Sequence, residues 1–408
     1  MKVSSMRRVD SWLGVPLCLA ATLLSAPFRW RRKSPDGRPR SVVVIKLSEL
    51  GALISLESAV SSLRAVVGRE NLYFLTFAEA KGLLEILDYL PRENILTLRT
   101  DSFPHFTADA IAAVLRLRRL GVECSLDLDF FARATALFAW LGGCRQRVGC
   151  HAYFGEGPYR GQLLTHRVRF NPHIHISRMF EVLAKAVESP PGDLPRLEFA
   201  SAAPLPPRRR FQPAAQDSAN VERLLAQAGV RAGDLVVLLN SNNGDLGGVP
   251  LRKWADERYV ELAKLILAEI PKAFILLTGS ELEAAAVEKL EAVVGSPRCR
   301  SAAGKTTLRE LLTLYGRSAV LVTNDSGPAH FATLTEIDIV VLFGPETPLL
   351  WRPLGDKVHV VYRGLACSPC FSAFNGRQSS CRRNVCMDIP PSQVLESVRH
   401  GLMVQSPS

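Results

Sequence analysis

The sequence predicts an α/β protein built from two Rossmann-like domains with parallel sheets. Short β-branched runs alternate with longer helical patterns in both halves of the 408 residues, which is typical of parallel sheets. A proline-rich stretch, residues 189–217, separates the halves and is the predicted linker. With 47% hydrophobic and 22% charged residues, the chain can bury a core in each half.

The first 40 residues differ from the rest of the chain. They hold nine Lys or Arg and two Asp, which gives them a net charge of +7 out of +11. Trp12 to Phe28 is largely apolar, but it is short for a bilayer span and contains Pro16 and Pro27. We therefore predict that residues 1–40 associate with a surface of anionic lipid. A cleaved signal peptide and a docked or disordered arm are the alternatives.

The first domain is expected over residues 41–188. Its first strand, at 42–45, runs into a polar turn before a helix. Three further strands alternate with three helices. The strands are predicted at 72–76, 95–98 and 125–128, and the helices at 79–87, 108–120 and 131–141.

The second domain, expected over 218–365, repeats this alternation. Its strands are predicted at 235–239, 273–278, 320–323 and 339–343. The helix after Trp254 has an apolar stripe at three- and four-residue spacing, formed by Tyr259, Leu262, Ala263, Ile266 and Ile270. Residues 366–408 add a group of cysteines and a C-terminal helix.

The strand at 320–323 leads into Asp325-Ser326-Gly327 and a helix that contains His330. The first N–H groups of a helix have no internal acceptor, so this turn can bind a phosphate group. His330 lies four residues after Ser326 and shares its helical face. The alternative is a capped helix that binds no ligand.

With the following strand, which ends at Phe343-Gly344, this segment resembles glycosyltransferase family 9, the lipopolysaccharide heptosyltransferase family. That family has an Asp-Ser/Thr-Gly turn, a nearby His, and then a strand ending in Phe-Gly. The resemblance covers roughly residues 41–400 and is weaker in the first half. It implies the GT-B architecture, in which two Rossmann-like domains have parallel sheets facing a cleft.

The resemblance also implies a set of donor-binding residues. Asn240-Ser241-Asn242 matches a polar turn on the donor diphosphate, and Arg252 stands at the first position of the family's Lys-x-Trp. Glu281 matches a glutamate that binds the donor ribose. The predicted donor site is completed by Asp325, Ser326, Gly327 and His330. A surface turn, a solvated charge and a helix-terminal acid are the alternatives for the first three features.

The predicted catalytic side departs from the family. Members carry Gly-Asp in the first glycine turn, and the resemblance implies that this Asp is the general base. Here the pair is Gly51-Ala52, and alanine cannot accept a proton. Glu49, three residues earlier, is the candidate base, and an exposed turn acid is its alternative.

Three basic residues are candidates for contacts to an anionic acceptor. Lys46 matches a basic position in the family and is counted with Glu49 in the catalytic turn. Arg145 and Arg147 resemble the family's Arg-x-Gly segment. Their position after a predicted helix is equally explained by the helix macrodipole.

Four of the nine cysteines are grouped as C-x2-C-x10-C-x4-C, namely Cys367, Cys370, Cys381 and Cys386. A structural zinc ion, reduced thiols without metal, and disulfides are the three interpretations. No catalytic metal motif is present in the sequence. Catalysis is therefore expected to need no cofactor.

The sequence thus predicts an inverting transferase on the cytoplasmic face of the inner membrane. It would move heptose or a related sugar from a nucleotide donor, ADP-heptose by resemblance, to a lipopolysaccharide core or another glycolipid. The alternative is a catalytically silent member that binds these ligands as an assembly or regulatory subunit, as Ala52 would indicate. A nicotinamide-dependent enzyme is disfavoured because no G-x-G-x-x-G follows either first strand. Nucleic-acid binding is not expected, since the chain beyond residue 40 carries only +4.

Overall fold

The computed structural model of the protein describes residues 3–29, 38–130, 132–151, 159–191, 209–241, 250–372 and 379–404. The chain divides into two compact units, Met1–Pro207 with Ser372–Arg377 and Arg208–Phe371 with Gln378–Ser408. Most of the predicted linker, residues 192–208, lies outside the described residues.

The first unit alternates strands and helices after one long N-terminal helix. Its helices are α1 Val3–Arg29, α2 Leu50–Ile54, α3 Glu57–Val67, α4 Lys81–Leu87, α5 Phe103–Leu120, α6 Ala134–Leu141 and α7 Ile176–Ala186. Its strands are β1 Val42–Ile45, β2 Leu72–Phe77, β3 Ile95–Leu98, β4 Cys124–Asp127, β5 Gln146–Cys150 and β6 His166–Val168.

These six strands form one parallel sheet in the order β3-β2-β1-β4-β5-β6. All four residues of β1 are buried, since neighbouring strands and helices cover both faces. The sequence analysis missed β5 and β6. Both are short and contain His, Arg or Gln, so they lack the continuous apolar run that marks a buried strand.

Helix α1 packs against the first unit along one narrow face. Gly14, Cys18 and Ala21, spaced four and three residues apart, are the buried positions of this face. Cys18 and Ala21 join a small apolar cluster with residues of α6 and the segment before β6. Gly161 has φ +56°, and a Cβ there would lie 2.1 Å from the Thr22 hydroxyl oxygen. Glycine is therefore required for this close approach.

A carboxylate of α1 also completes the start of α6. Asp10 Oδ1 accepts the backbone N–H of Arg133 and of Ala134, each at 2.9 Å. Asp10 thus satisfies the first N–H groups of a helix that lies more than a hundred residues away in the chain. Helix α1 therefore lies docked on the first unit.

The outer face of α1 is apolar and exposed. Trp12 is 80% exposed, Leu23 64% and Leu24 66%, and Leu13, Leu17 and Leu19 are exposed as well. Within the described residues, Val9–Pro27 is the one helical stretch long and apolar enough to cross a membrane by length and composition alone. A soluble domain rarely leaves an apolar strip of this length uncovered.

The second unit has the same alternation. Its helices are α8 Ala215–Ala228, α9 Asp256–Glu269, α10 Ala284–Val294, α11 Leu308–Gly316, α12 Gly327–Ala332, α13 Pro348–Trp351 and α14 Pro391–Val404. Its strands are β7 Leu235–Asn240, β8 Ala273–Leu277, β9 Cys299–Ser301, β10 Val320–Asn324, β11 Asp338–Phe343 and β12 Val358–Tyr362. Helix α8 begins inside the segment that was predicted to be linker.

Its sheet is parallel, in the order β12-β11-β10-β7-β8-β9. Strands β9 and β12 were not predicted, because the first is three residues long and the second is half-buried with a histidine in it. The apolar stripe of α9 lies in the core as expected, except that Ile270 follows the end of the helix.

The C-terminal segment belongs to the core of the second unit. Trp254 is fully buried, and its indole N–H donates to the carbonyl of Ile389 at 3.0 Å. Val394 and Val398 of α14 lie in the same apolar cluster. Residues 385–404 therefore stabilise the turn that follows β7.

Candidate functional site

Both sheets are of the open parallel kind in which ligands bind at the point where the order of the strands reverses. In the first sheet this switch point lies between β1 and β4, and in the second between β7 and β10. Polar and charged side chains follow all four of these strands. Each unit therefore has one candidate site at the carboxyl ends of its central strands.

In the first unit, the turn after β1 carries the predicted catalytic pair. Lys46 is 1% exposed, and its ammonium group lies 2.9 Å from Glu49 Oε2. Glu49 has φ 67° and ψ 69°, a left-handed conformation that is unfavourable for a residue other than glycine. Ala52 is buried in α2, so the departure from the family motif leaves no carboxylate at that position.

A buried ion pair lies at the end of β4. Asp127 Oδ2 is 3.3 Å from Arg160 Nη1, and both side chains are fully buried. Burial raises the pKa of Asp127 to about 6, while Arg160 and the Thr135 hydroxyl oppose the rise. Arg160 also donates to the carbonyls of Ala132, at 3.0 Å, and Cys150, at 2.9 Å. The sequence analysis missed Asp127 and Arg160, although an aspartate ending an apolar strand is a recognisable signal.

The structure separates the two predicted acceptor arginines. Arg147 lies in β5 and is buried, and its guanidinium donates to the carbonyls of Cys144 and Leu163. Arg145 is exposed just before that strand. Their expected placement at a helix C-terminus is wrong for Arg147, because the segment continues the sheet.

In the second unit, Asn240 is the last residue of β7 and Ser241 follows it, and both are buried. The amide nitrogen of Asn240 donates to Thr278, to its carbonyl and its hydroxyl oxygen, both at 3.2 Å. Its amide oxygen is buried and has no hydrogen-bond partner among the described residues. The predicted donor residue Asn242 lies outside the described residues.

Arg252 reaches the turn after β10. Its Nη1 lies 3.3 Å from Asp325 Oδ2, and both side chains are largely buried. Its Nε is buried with no hydrogen-bond partner in the described part of the chain. A buried guanidinium donor of this kind can serve an anionic ligand.

Asn324 connects the turn after β7, at Ser241, with the segment that contains Arg252 and Trp254. The sequence analysis did not single it out. Its side-chain oxygen accepts the Trp254 backbone N–H at 2.9 Å, and its nitrogen donates to the Ser241 carbonyl at 3.0 Å. Asn324 is fully buried. An amide directly before Asp325, at the end of an apolar strand, is the signal that could have identified it.

Helix α12 carries the remaining predicted residues of this cluster. Ser326 is the N-cap residue, but its hydroxyl donates to the Asn324 carbonyl at 3.1 Å and makes no cap hydrogen bond. Gly327 lies beside the Phe331 ring, where a Cβ would be 3.2 Å from the ring. His330 is half-buried one turn after Ser326.

Glu281 is exposed after the neighbouring strand β8. Glu283 accepts the Ser280 N–H at 2.7 Å and caps the turn, so Glu281 is not used as the cap. Gly304 has φ +71° and packs closely against Glu281, since a Cβ added at Gly304 would lie 3.0 Å from the Glu281 Cα. The structure therefore places Glu281 on the same sheet edge as Asn240 and Asp325.

The four grouped cysteines are free thiols, like the other five. Burial raises the pKa of Cys386, and the neighbouring thiols of Cys370, Cys381 and Cys367 raise it further. Among the described residues, no three His, Cys, Asp or Glu side chains are arranged to hold a metal ion. A structural zinc ion is therefore not shown, and we propose none.

Two Rossmann-like units with amide, cationic and acidic side chains at their switch points place the protein in the class of open-sheet α/β proteins whose ligands bind at that point. The chain belongs to glycosyltransferase family 9, the heptosyltransferases, whose family model matches residues 135–379. The predictions of the family and of two parallel-sheet domains are confirmed.

Related proteins agree with this assignment. The chain is 30% identical over 157 residues to lipopolysaccharide heptosyltransferase 2 of Salmonella typhimurium, which is 38% of this chain and 43% of that protein. The match thus spans less than half the length of this curated relative. Among solved structures, ADP-heptose heptosyltransferase II of Escherichia coli has a TM-score of 0.66 at 20% identity, covering 90% of this chain and 99% of that one. A family 9 glycosyltransferase of Veillonella parvula has a TM-score of 0.69 at 16% identity, covering 91% and 100%.

Proposed function

We propose that this protein transfers heptose from ADP-heptose to a lipopolysaccharide core or a related glycolipid, with inversion at the anomeric carbon. Family membership supports the reaction class, and the activities of the related heptosyltransferases support the donor and the acceptor. The observation that carries the proposal is the cluster at the switch point of the second sheet, where Arg252 Nε lies buried in a polar site and has no hydrogen-bond partner among the described residues.

In the proposed reaction, charge builds on the donor diphosphate as its bond to the sugar breaks. Arg252 would stabilise that charge, since a guanidinium fork matches phosphate oxygens. Ser326, Gly327 and His330 would supply further donors, and Asn240 and Ser241 would contact the diphosphate from the end of β7. Glu281 would bind the ribose hydroxyl groups. This electrostatic stabilisation of the leaving group is expected to be the main contribution of the second unit.

In the first unit, Glu49 would take the proton from the attacking hydroxyl group of the acceptor. Lys46 holds this carboxylate at 2.9 Å and would itself lie near the acid group of an anionic acceptor. The proposed reaction requires no cofactor, because both proton transfer and charge stabilisation come from side chains.

The direct test is a transfer assay with purified protein, ADP-heptose, other nucleotide sugars and deacylated core acceptors. Transfer from ADP-heptose, above the level with GDP- or UDP-sugars, is the expected result. Binding of ADP-heptose without turnover on any acceptor would contradict the proposed activity and favour a catalytically silent binding protein.

Replacing Arg252 with methionine should weaken ADP binding by roughly 10- to 100-fold, because one charge-assisted hydrogen bond contributes about 1.5–3 kcal/mol. Isothermal titration calorimetry with ADP measures this change. Arg258→Met is the matched control, since Arg258 is an exposed arginine of α9 that pairs with Asp388 and Glu261. Equal affinity in wild type and Arg252→Met would remove Arg252 from the donor site.

We also propose that the protein works on the cytoplasmic face of the inner membrane, attached through residues 1–40. The apolar outer face of α1 and the +7 charge of this segment support attachment to anionic lipid. Contacts of α1 with the first unit extend from Asp10 to Thr22, about 18 Å along a helix axis. A helix held along the protein surface in this way is suited to lie in the plane of the bilayer, not to cross it.

Replacing both Leu23 and Leu24 with glutamine should lower binding to anionic vesicles by roughly 100-fold, since two leucines buried in the lipid contribute about 3 kcal/mol or more. Sedimentation with vesicles measures the bound fraction. Leu282→Gln is the control, because Leu282 is 80% exposed in the second unit. Point substitutions are preferable to truncation, because truncation would remove Asp10 and its hydrogen bonds to the start of α6. Unchanged sedimentation of the double variant would contradict attachment through this face.

A further inference from the structure

A buried carboxylate lies directly beneath the turn that carries Glu49. Asp129 is 3% exposed and comes two residues after β4. Its Oδ2 accepts the backbone N–H of Leu47 at 3.1 Å, the backbone N–H of Ser48 at 3.2 Å and the Ser48 hydroxyl at 3.3 Å. One oxygen atom thus receives three donors from the two residues before Glu49. Hydrogen bonds to a charged acceptor are stronger than those between neutral groups, so this contact fixes the turn.

Asp129 is itself held by a hydrogen-bond network at the end of β4. Its backbone N–H donates to Asp127 Oδ1 at 3.0 Å, and Asp127 Oδ2 accepts the Thr135 hydroxyl at 2.7 Å. Arg160 pairs with Asp127 and also donates to the carbonyl of Asp129. These groups are buried, so the network can shift little without breaking hydrogen bonds. The end of β4 is therefore a rigid support for the turn after β1.

The residue presented by that turn has an unfavourable backbone. Glu49 is one of three non-glycine residues with positive φ in the described part of the chain. Such a conformation persists only where the surroundings impose it. The hydrogen bonds to Asp129 restrain the two preceding residues, while the ion pair with Lys46 restrains the Glu49 side chain from the other side.

We propose that Asp129 is a positioning residue, which holds the Leu47-Ser48 turn so that Glu49 faces the reacting hydroxyl group. This inference rests on the proposed function, because it assigns Asp129 a part in the same transfer. It also explains how a chain with Ala52 keeps a carboxylate in a defined place. Asp129 does not touch substrate in this account and acts through Glu49.

Asp129→Asn tests the proposal with two readouts. Asparagine keeps the shape but loses the charge and one acceptor oxygen. Hydrogen exchange of the amides of Leu47 and Ser48 should become about 10-fold faster, because their acceptor is weakened. In the transfer assay, kcat should fall by about 10-fold or more, with an unchanged KM for the nucleotide sugar. The acidic limb of the profile of kcat against pH should move as well, because the substitution changes the surroundings of Glu49.

Asn94→Ala is the matched control in the same unit. The Asn94 amide donates to the carbonyls of Glu70 and Leu72, far along the chain from the turn. This variant should lose stability without changing kcat or the pH profile. If Asp129→Asn behaves like Asn94→Ala, or if exchange at Leu47 and Ser48 is unchanged, the proposal is wrong. If the wild type transfers no sugar at all, the proposed function fails, and Asp129 then has no reaction to position even where exchange is faster.

Discussion

Replacing Glu49 with glutamine is expected to lower the rate of sugar transfer by about 100- to 10,000-fold, the usual contribution of a positioned general base. Glutamine has nearly the same shape but cannot accept the proton of the acceptor hydroxyl group. The measurement is kcat with ADP-heptose and a deacylated core acceptor. Binding of ADP should be unchanged, because the predicted donor residues belong to the second unit.

Two further variants sharpen this test. Glu57→Gln is the control, since Glu57 is a nearby acid at the start of α3 and should leave kcat unchanged. Ala52→Asp restores the carboxylate at the family position and should recover part of the activity in the Glu49→Gln background. Full activity of Glu49→Gln would show that the base is another group.

Replacing Arg160 with methionine is expected to destabilise the first unit by about 3–5 kcal/mol, because a buried carboxylate then loses its charged partner. Among the described residues, Asp127 would keep the Thr135 hydroxyl and the backbone N–H of Asp129 as its partners. The carbonyls of Ala132 and Cys150 would lose their donors as well. Thermal or urea unfolding, followed on the full chain, measures the loss.

The pH dependence identifies the cause of that loss. Because the folded pKa of Asp127 is about 6, its carboxyl is charged above this value and protonated below it. The ion pair with Arg160 therefore contributes above about pH 6 and fades at lower pH. The difference between wild type and Arg160→Met should be larger at about pH 8 than at about pH 5. The double variant Arg160→Met with Asp127→Asn should recover part of the stability, and a loss that does not vary with pH would contradict this explanation.

The alternation of strands and helices was readable because buried parallel strands are continuous apolar runs. Val42–Ile45 and Asp338–Phe343 are of this kind, and each is paired with a parallel strand on both sides. Strands β5 and β6 were missed for the opposite reason. Arg147 can be buried in β5 because backbone carbonyls accept its hydrogen bonds. No local pattern in the sequence predicts that kind of burial.

The N-terminal helix shows the same limit. Its composition alone indicated an apolar segment flanked by basic residues, and a contact with lipid was the natural interpretation. The structure adds that one face is committed to the protein through Asp10, Cys18 and Ala21. The sequence analysis did not identify this buried face, which is formed by small residues at three- and four-residue spacing. Proposed attachment to the bilayer therefore concerns the opposite face, which includes Trp12 and Leu24.

By itself, the sequence determined the family, the two-domain α/β fold and the order of the predicted donor residues, since each depends on short motifs and on periodicity within one element. Only the tertiary structure decided which distant residues support them. Asp129 is 82 positions from Leu47, Asp10 is 123 from Arg133, and Asn324 is 70 from Trp254. The contacts of Asp129 and Asn324 arise because the order of strands in a sheet brings the turns after remote strands together, and the contact of Asp10 arises because α1 packs on α6. Local patterns in the sequence encode neither arrangement.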